Sequence, residues 1–140
     1  MTIRLGVVMD PIEDITVKKD TTLALLLAAQ ARGWALHYMQ MNDLGLRDGA
    51  PVGHMAGLSV RDDPADWFTL GPYTRSPLES LDVILMRKDP PFDTEYLYAT
   101  YILEQAEARG TLVVNKPRSL RDANEKLFTV WFRQCCPDTL

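Results

Sequence analysis

Short apolar runs that alternate with helical patterns constrain the fold of this chain more than any other feature. Ile3–Met9 (IRLGVVM), Leu81–Met86 (LDVILM) and Thr111–Val114 (TLVV) are short and mostly aliphatic, as strands buried on both faces are. Helical patterns stand between them at Thr21–Arg32 and from Asp93 to Gly110. Strands that alternate with helices predict an α/β fold, in which helices flank an open, mostly parallel sheet.

The first helix carries signals at both of its ends. Asp20 is a good N-cap, and Gly33 suits the position just after the C-terminus. Ala35–Met41 then alternates in polarity and predicts a second strand, so the chain should open with a right-handed parallel strand–helix–strand unit. Near the other end of the chain, Asn124 predicts the cap of a last helix that runs to about Arg133.

The stretch from residue 44 to residue 78 departs from this alternation, and we call it the excursion. Within Leu44–Arg61, the pair Asp48-Gly49 is a hairpin-turn signal between two short stretches of mixed polarity. Trp67–Tyr73 predicts a further small strand. We therefore expect a β-hairpin excursion beside the α/β sheet.

The helix at Thr21–Arg32 is unusual because Leu23–Ala29 is apolar on every side. One small sheet covers only one side of a helix, so something else should cover the other. The candidates are a second copy of the chain, a neighbouring domain and the excursion folded back within one chain. Two-fold pairing with a copy of itself is the simplest closed arrangement, and it predicts a homo-oligomer.

Composition excludes several classes of function. The chain is 46% hydrophobic and 24% charged with a net charge of −4, and it has no basic stripe of the kind that binds nucleic acid. Its apolar runs are shorter than the roughly 18 residues that predict a membrane span, and its first residues lack the pattern of a signal peptide. We therefore expect a cytoplasmic protein without a nucleic-acid or membrane partner. Cys135 and Cys136 are adjacent, which predicts ordinary thiols rather than a disulfide framework or zinc site.

Polar side chains follow three of the predicted strands. Asp10 comes after the first strand, Arg87–Asp89 after the LDVILM run, and Asn115-Lys116 after the TLVV run. Ligands of open α/β folds bind beyond the carboxyl ends of the strands. Positive charge there suits an anionic small molecule, and arginine suits a carboxylate through paired hydrogen bonds. The alternative is a solvated loop with a salt bridge or a helix cap.

The loop before the first helix is a second candidate site for an anion. Lys18 lies in it, and backbone N–H groups and the helix dipole at such a position favour negative charge. No G-x-G-x-x-G or Walker-type lysine loop occurs, so an independent dinucleotide or P-loop site is not expected. His37 and His54 are not in metal spacing, and we interpret both as structural or exposed.

Several longer segments together resemble the bacterial glutathione synthetase family in order and spacing, over nearly the whole chain. The resemblance is weakest in the excursion. The most specific segment is Val83–Glu95 (VILMRKDPPFDTE). The others are Gly6–Pro11 (GVVMDP), Leu36–Met39 (LHYM), Tyr98–Glu104 (YATYILE), Val114–Pro117 (VNKP), Ser119–Asp122 (SLRD) and Asn124–Phe128 (NEKLF).

The resemblance implies a place in the ATP-grasp superfamily, whose glutathione synthetase members join γ-glutamylcysteine to glycine with ATP and Mg²⁺ through an acyl phosphate. It assigns residues 1–122 to a Rossmann-like N-terminal substrate-side domain of the pre-ATP-grasp type. Residues 123–140 would begin the ATP-grasp region. It also implies homo-oligomers, for which the helix at Thr21–Arg32 is our candidate contact.

The resemblance further implies roles for five residues. Lys126 is similar to the first lysine that contacts ATP, and Arg87 to a holder of the dipeptide's carboxylate. Asp10, Lys18 and Asn115 are further candidates for substrate contacts. The second phosphate lysine, the glycine-rich lid and the Mg²⁺ ligands of the family would lie beyond residue 140. No catalytic residue or metal ligand is therefore expected within this chain, and alone it should be inactive.

Two other functions fit the residues without the resemblance. The chain could be a stand-alone module that binds a small molecule at the strand ends. It could also serve assembly, through the apolar helix, without any catalysis.

Overall fold

A computed structural model describes residues 1–138 of the chain. The strands are β1 (Arg4–Val8), β2 (Ala35–Met39), β3 (Leu44–Arg47), β4 (Ala50–Val60), β5 (Phe68–Pro77), β6 (Val83–Met86) and β7 (Leu112–Val114). The α-helices are α1 (Thr21–Ala31), α2 (Thr94–Glu107) and α3 (Pro117–Asp122). Short 3₁₀ segments occur at Ile12–Asp14, Val17–Lys19, Met41–Asp43 and Leu78–Ser80, and a longer one at Lys126–Cys135.

All the strands belong to one sheet with a parallel half and an antiparallel half. The parallel half has the order β2-β1-β6-β7, with β1 and β6 side by side at its centre. In the other half, β4 pairs antiparallel with β2, β3 and β5. The predicted α/β class is confirmed, and the excursion extends the sheet beyond β2.

The predicted hairpin turn at Asp48-Gly49 is confirmed. Both residues have positive φ, 51° and 76°, which is the backbone that a tight two-residue turn between β3 and β4 requires. The strand predicted at Trp67–Tyr73 is longer than expected, because β5 continues to Pro77 along its pairing with β4.

Helices cover the two faces of the sheet, and side chains alternate between them. Leu5 and Val7 face α1, whereas Val8 faces α2. Gly6 also lies on the α2 face, where an added Cβ would come within 2.6 Å of Leu81 Cδ1. A side chain at this position would therefore force the core on that face to move.

The predicted ends of the first helix are confirmed. Asp20 Oδ1 accepts a hydrogen bond from the Leu23 backbone N–H at 2.7 Å, and Gly33 follows the helix with φ of +77°. One side of α1 is buried on the sheet, while Leu25 is 43% exposed on the other. Ala24 and Ala28 beside Leu25 are exposed as well, so a narrow apolar strip remains open on this helix.

The last predicted helix is wrong. Asn124 does not cap an α-helix that runs to Arg133. Instead a 3₁₀ segment begins after Glu125, and Phe132 interrupts it with φ of −128° and ψ of 43°. The sequence interpretation also missed α3, which places Pro117 in its first turn, where proline is well tolerated. The 3₁₀ segment has no buried residue, so packing does not enforce a regular α-helix there.

No helix among residues 1–138 has the combined length and apolar character that crossing a bilayer requires.

Candidate functional site

The parallel strands β1 and β6 end side by side, and the polar residues that follow them meet there. Asp10 Oδ1 lies 2.9 Å from Lys88 Nζ, and Asp10 Oδ2 accepts the Asp89 backbone N–H at 2.9 Å. Both carboxylate oxygens of Asp10 are thus engaged by the residues that follow β6. Asp10 therefore orders this strand-end cluster.

Arg87 is positioned by two contacts at the same edge. Its backbone N–H donates to the Val8 carbonyl at 2.7 Å and continues the β1–β6 pairing. Its side-chain Nε donates to Thr22 Oγ1 at 3.0 Å, in the first turn of α1. The guanidinium thus lies near a helix N-terminus, where backbone N–H groups and the dipole favour an anion.

The start of α2 braces the loop that carries these residues. Asp93 Oδ1 caps the helix by accepting the Tyr96 backbone N–H at 2.9 Å, and the Tyr96 hydroxyl donates to the Lys88 carbonyl at 3.4 Å. Burial raises the pKa of Tyr96, and the nearby Asp89 carboxylate raises it further. The Tyr96 hydroxyl therefore stays protonated and can remain a donor to this loop.

A cavity of about 250 Å³ opens between the first strand-to-helix loop and Asp89. Its walls are formed by Asp10, Pro11, Asp14, Ile15, Thr16, Lys19, Asp20 and Asp89. Of the two adjacent lysines, Lys19 lines this cavity, whereas the predicted candidate Lys18 is exposed outside its wall. The cavity thus holds carboxylates and one ammonium group.

Two aromatic side chains anchor the loop that forms this cavity. The Ile12 backbone N–H donates to the Tyr38 hydroxyl at 3.2 Å, and Trp67 Nε1 donates to the Ile12 carbonyl at 2.9 Å. The sequence analysis placed both aromatics only within predicted strands. The signal that could have found them is general: a buried tyrosine or tryptophan needs a hydrogen-bond partner for its polar tip.

The remaining candidates stand apart from this cluster. Asn115 follows β7 and is exposed, and no hydrogen bond within residues 1–138 joins its side chain to Asp10 or Arg87. The neighbouring Lys116 has its Nζ 3.8 Å from Glu107 Oε1. Lys126 is exposed, and its ammonium forms no ion pair with the described residues.

The chemistry that the described residues support is binding. Lys19 offers positive charge in the cavity wall, and Asp14 and Asp89 offer negative charge there. Arg87 lies outside the wall and adds positive charge near the N-terminus of α1. Charges of both signs within one strand-end site suit a zwitterionic small molecule. Among residues 1–138, no group of three or more histidine, cysteine, aspartate or glutamate side chains could hold a metal ion.

Comparison with known proteins gives a consistent result over almost the whole chain. Residues 3–121 match the family model described as prokaryotic glutathione synthetase, N-terminal domain. The glutathione synthetase of Yersinia pestis is 62% identical over 138 residues, which is 99% of this chain and 43% of that protein. Those of Shewanella oneidensis and Escherichia coli K12 are 58% and 59% identical, and the match covers 99% of this chain and 44% of each. The chain thus spans less than half the length of these relatives.

Proposed function

Because this chain belongs to the prokaryotic glutathione synthetase family through its N-terminal domain, we propose that it is the substrate-side part of a glutathione-forming ligase. The complete protein would join γ-glutamylcysteine to glycine, with ATP and Mg²⁺ and an acyl-phosphate intermediate. Its ATP-grasp region would begin at residue 123. The free thiols of Cys135 and Cys136 are compatible with work in the cytoplasm.

The observation that carries this proposal, beside the family match, is the position of Arg87. It lies at the carboxyl edge of the two central parallel strands, close to a helix N-terminus, where an α/β fold binds small anions. Arginine forms paired hydrogen bonds with a carboxylate, and γ-glutamylcysteine carries carboxylates. We assign Arg87 to one of them, and Asp10, Lys18 and Asn115 to further contacts with the substrates.

Lys126 is our candidate for the ATP phosphates. Its ammonium is exposed and has no carboxylate partner among residues 1–138, so its charge is available to a ligand. A lysine in this position would offset phosphate charge as the γ-phosphoryl group is transferred. The Mg²⁺ ligands and the catalytic groups would lie in sequence outside residues 1–140.

The test uses a chain of the relatives' full length that carries this sequence as residues 1–140. Arg87→Ala should raise the KM for γ-glutamylcysteine by about 10- to 150-fold, which corresponds to the ~1.5–3 kcal/mol of a charged hydrogen-bond pair. Lys126→Ala should raise the KM for ATP and leave the fold intact, because this side chain is exposed. Arg75→Ala is the matched control, since Arg75 is an exposed arginine on β5.

Unchanged dipeptide and ATP kinetics in both variants would refute the assigned roles. The 140-residue chain alone should show no ATP-dependent ligation. Turnover by this chain that depends on Lys126 would contradict that expectation.

One observation favours the alternative of a stand-alone binding module. The cavity is walled entirely by residues between Asp10 and Asp89, so the chain could bind a ligand without any further domain. Both functions allow the 140-residue chain to bind γ-glutamylcysteine, so the discriminating measurement is ATP-dependent ligation by a chain of the relatives' full length. Dipeptide binding without ligation by the longer chain would support an independent module, whereas ATP-dependent ligation would support the ligase.

We also propose that α1 mediates homo-oligomers. Its exposed strip of Ala24, Leu25 and Ala28 is apolar, and a second copy of the same strip would cover it symmetrically. Leu25→Glu should shift light-scattering mass toward the monomer. Leu26 is unsuitable for this test, because its side chain is 1% exposed and a charge there would disrupt the core. A wild-type chain that is already monomeric would refute the proposal.

A further inference from the structure

Thr22 has a contact that its position in α1 does not require. Its side chain is buried, with 5% of the residue exposed, in the first turn of the helix. The helix cap is supplied by Asp20, so the Thr22 hydroxyl is not needed for that purpose. The hydroxyl oxygen instead accepts Arg87 Nε, from a residue 65 positions further along the chain.

This hydrogen bond decides which edge of the Arg87 guanidinium is free. A guanidinium can hold a carboxylate through Nε and one terminal nitrogen, or through its two terminal nitrogens, Nη1 and Nη2. Thr22 occupies Nε, and within residues 1–138 neither Nη1 nor Nη2 donates to a protein acceptor. The two terminal nitrogens, Nη1 and Nη2, are therefore free to bind a ligand.

The contact orients Arg87 without neutralising it. No carboxylate among the described residues forms an ion pair with Arg87, and Asp10 at the same edge is paired with Lys88. A neutral hydroxyl holds the side chain and leaves its full positive charge for an anion, whereas a carboxylate in the same place would compete with the ligand. The backbone of Arg87 is fixed independently by its hydrogen bond to Val8, so the path of the chain does not depend on Thr22.

We propose that Thr22 is a positioning residue that holds Arg87 for end-on binding of a ligand carboxylate through Nη1 and Nη2. The proposal rests on the function proposed above, in which that ligand is γ-glutamylcysteine. Thr22 itself does not touch the substrate. Its effect is to fix one of several arginine rotamers before binding, which lowers the entropy lost when the carboxylate is held.

The experiment compares Thr22→Val and Thr22→Ser in a chain of the relatives' full length that carries this sequence as residues 1–140. Valine keeps the shape of threonine and removes the hydroxyl, so the KM for γ-glutamylcysteine should rise about three- to tenfold. The kcat and the KM values for ATP and glycine should not change, because Thr22 acts only through Arg87. A general loss of stability would instead alter all of these constants. Serine keeps the hydroxyl and should restore the dipeptide KM to about the wild-type value.

A double-mutant cycle shows whether Thr22 acts through Arg87. Thr22→Val should have no further effect in an Arg87→Ala background, because the hydrogen bond is already lost there. If the valine variant does not fold, Thr22→Ala takes its place in the cycle. A wild-type dipeptide KM in the folded Thr22 variant, or additive effects in the cycle, would overturn the proposal.

These outcomes are separable from failure of the proposed function. If Arg87→Ala itself leaves the dipeptide KM unchanged, the carboxylate role of Arg87 fails, and the role of Thr22 fails with it. If Arg87→Ala raises that KM but Thr22→Val does not, only the positioning role is wrong.

Discussion

Two helical segments of this chain have similar apolar residues but opposite surroundings. α2 buries Tyr96, Ala99, Leu103 and Ala106 against the sheet. The 3₁₀ segment Lys126–Cys135 has leucine, phenylalanine, valine and tryptophan side chains, and all of them are exposed. The difference is the presence of an opposing layer, since α2 lies on a sheet and Lys126–Cys135 does not.

The comparison shows what a helical pattern can and cannot specify. α2 is a regular α-helix with a side-chain cap from Asp93, whereas Lys126–Cys135 is 3₁₀ and is interrupted at Phe132. Helix propensity alone stabilises a short helix only marginally in water, so tertiary packing decides whether it becomes regular. An apolar periodicity therefore predicts a helix reliably only where the fold also supplies the surface that it covers.

The largest effect should come from a matched pair of leucine truncations, one in each segment. Leu103 is fully buried on α2, so Leu103→Ala should lower the free energy of unfolding by about 2–5 kcal/mol. Leu127 is 79% exposed, and Leu127→Ala should change it by no more than about 0.5 kcal/mol. Urea denaturation followed by circular dichroism measures both. Equal losses would mean that Leu127 is packed in solution, and the comparison would fail.

A smaller effect should come from the first strand-to-helix loop, which is irregular and yet firmly held. Tyr38→Phe leaves the buried Ile12 N–H without an acceptor, which should cost about 1–3 kcal/mol of unfolding free energy. Trp67→Phe removes the hydrogen bond from Trp67 Nε1 to the Ile12 carbonyl. Loss of this bond should cost somewhat less unfolding free energy, because the bond is only part-buried. Hydrogen exchange of the loop amides should quicken in both variants.

Tyr73→Phe is the control for these two variants, because the Tyr73 residue is 40% exposed. Unaltered exchange in the Tyr38 and Trp67 variants would show that the aromatics do not hold the loop. The first strand-to-helix loop is held by side-chain hydrogen bonds from Tyr38 and Trp67 rather than by hydrogen bonds within a helix or strand. Trp67 belongs to the excursion, so the excursion helps to order this loop.

Sequence reasoning predicted the elements whose signals are local. The β1 and β6 runs, the Asp20 cap and the Asp48-Gly49 turn each depend on a few neighbouring residues, and all of them appear in the structure. The edge shared by Asp10 and Arg87–Asp89 also followed from the sequence, because parallel neighbours end together.

Contacts between distant residues could not be predicted in this way. The Thr22–Arg87 and Ile12–Trp67 hydrogen bonds join residues 65 and 55 positions apart. The pairing of β4 with β2, β3 and β5 also depends on how the excursion folds back onto the sheet, which no local pattern specifies. The prediction of the last helix was wrong for a related reason. Its sequence carries a cap signal, but residues 1–138 offer this segment no surface to pack against.

The smallest predicted effect concerns His37, which lies on β2 inside the packed sheet. Burial lowers the pKa of His37, and the charge of Arg4 lowers it further. His37 Nε2 is buried and has no hydrogen-bond partner among residues 1–138, so the folded protein resists protonation there. The unfolded chain accepts that proton below about pH 6.5. The stabilising contribution of neutral His37 is therefore complete above that pH and is lost as the pH falls toward the lowered pKa. Urea midpoints measured between pH 5 and pH 8 should decline on the acid side in the wild type, and less steeply in His37→Gln. If His37→Gln shows the same acid dependence as the wild type, burial in the sheet does not set the protonation of His37.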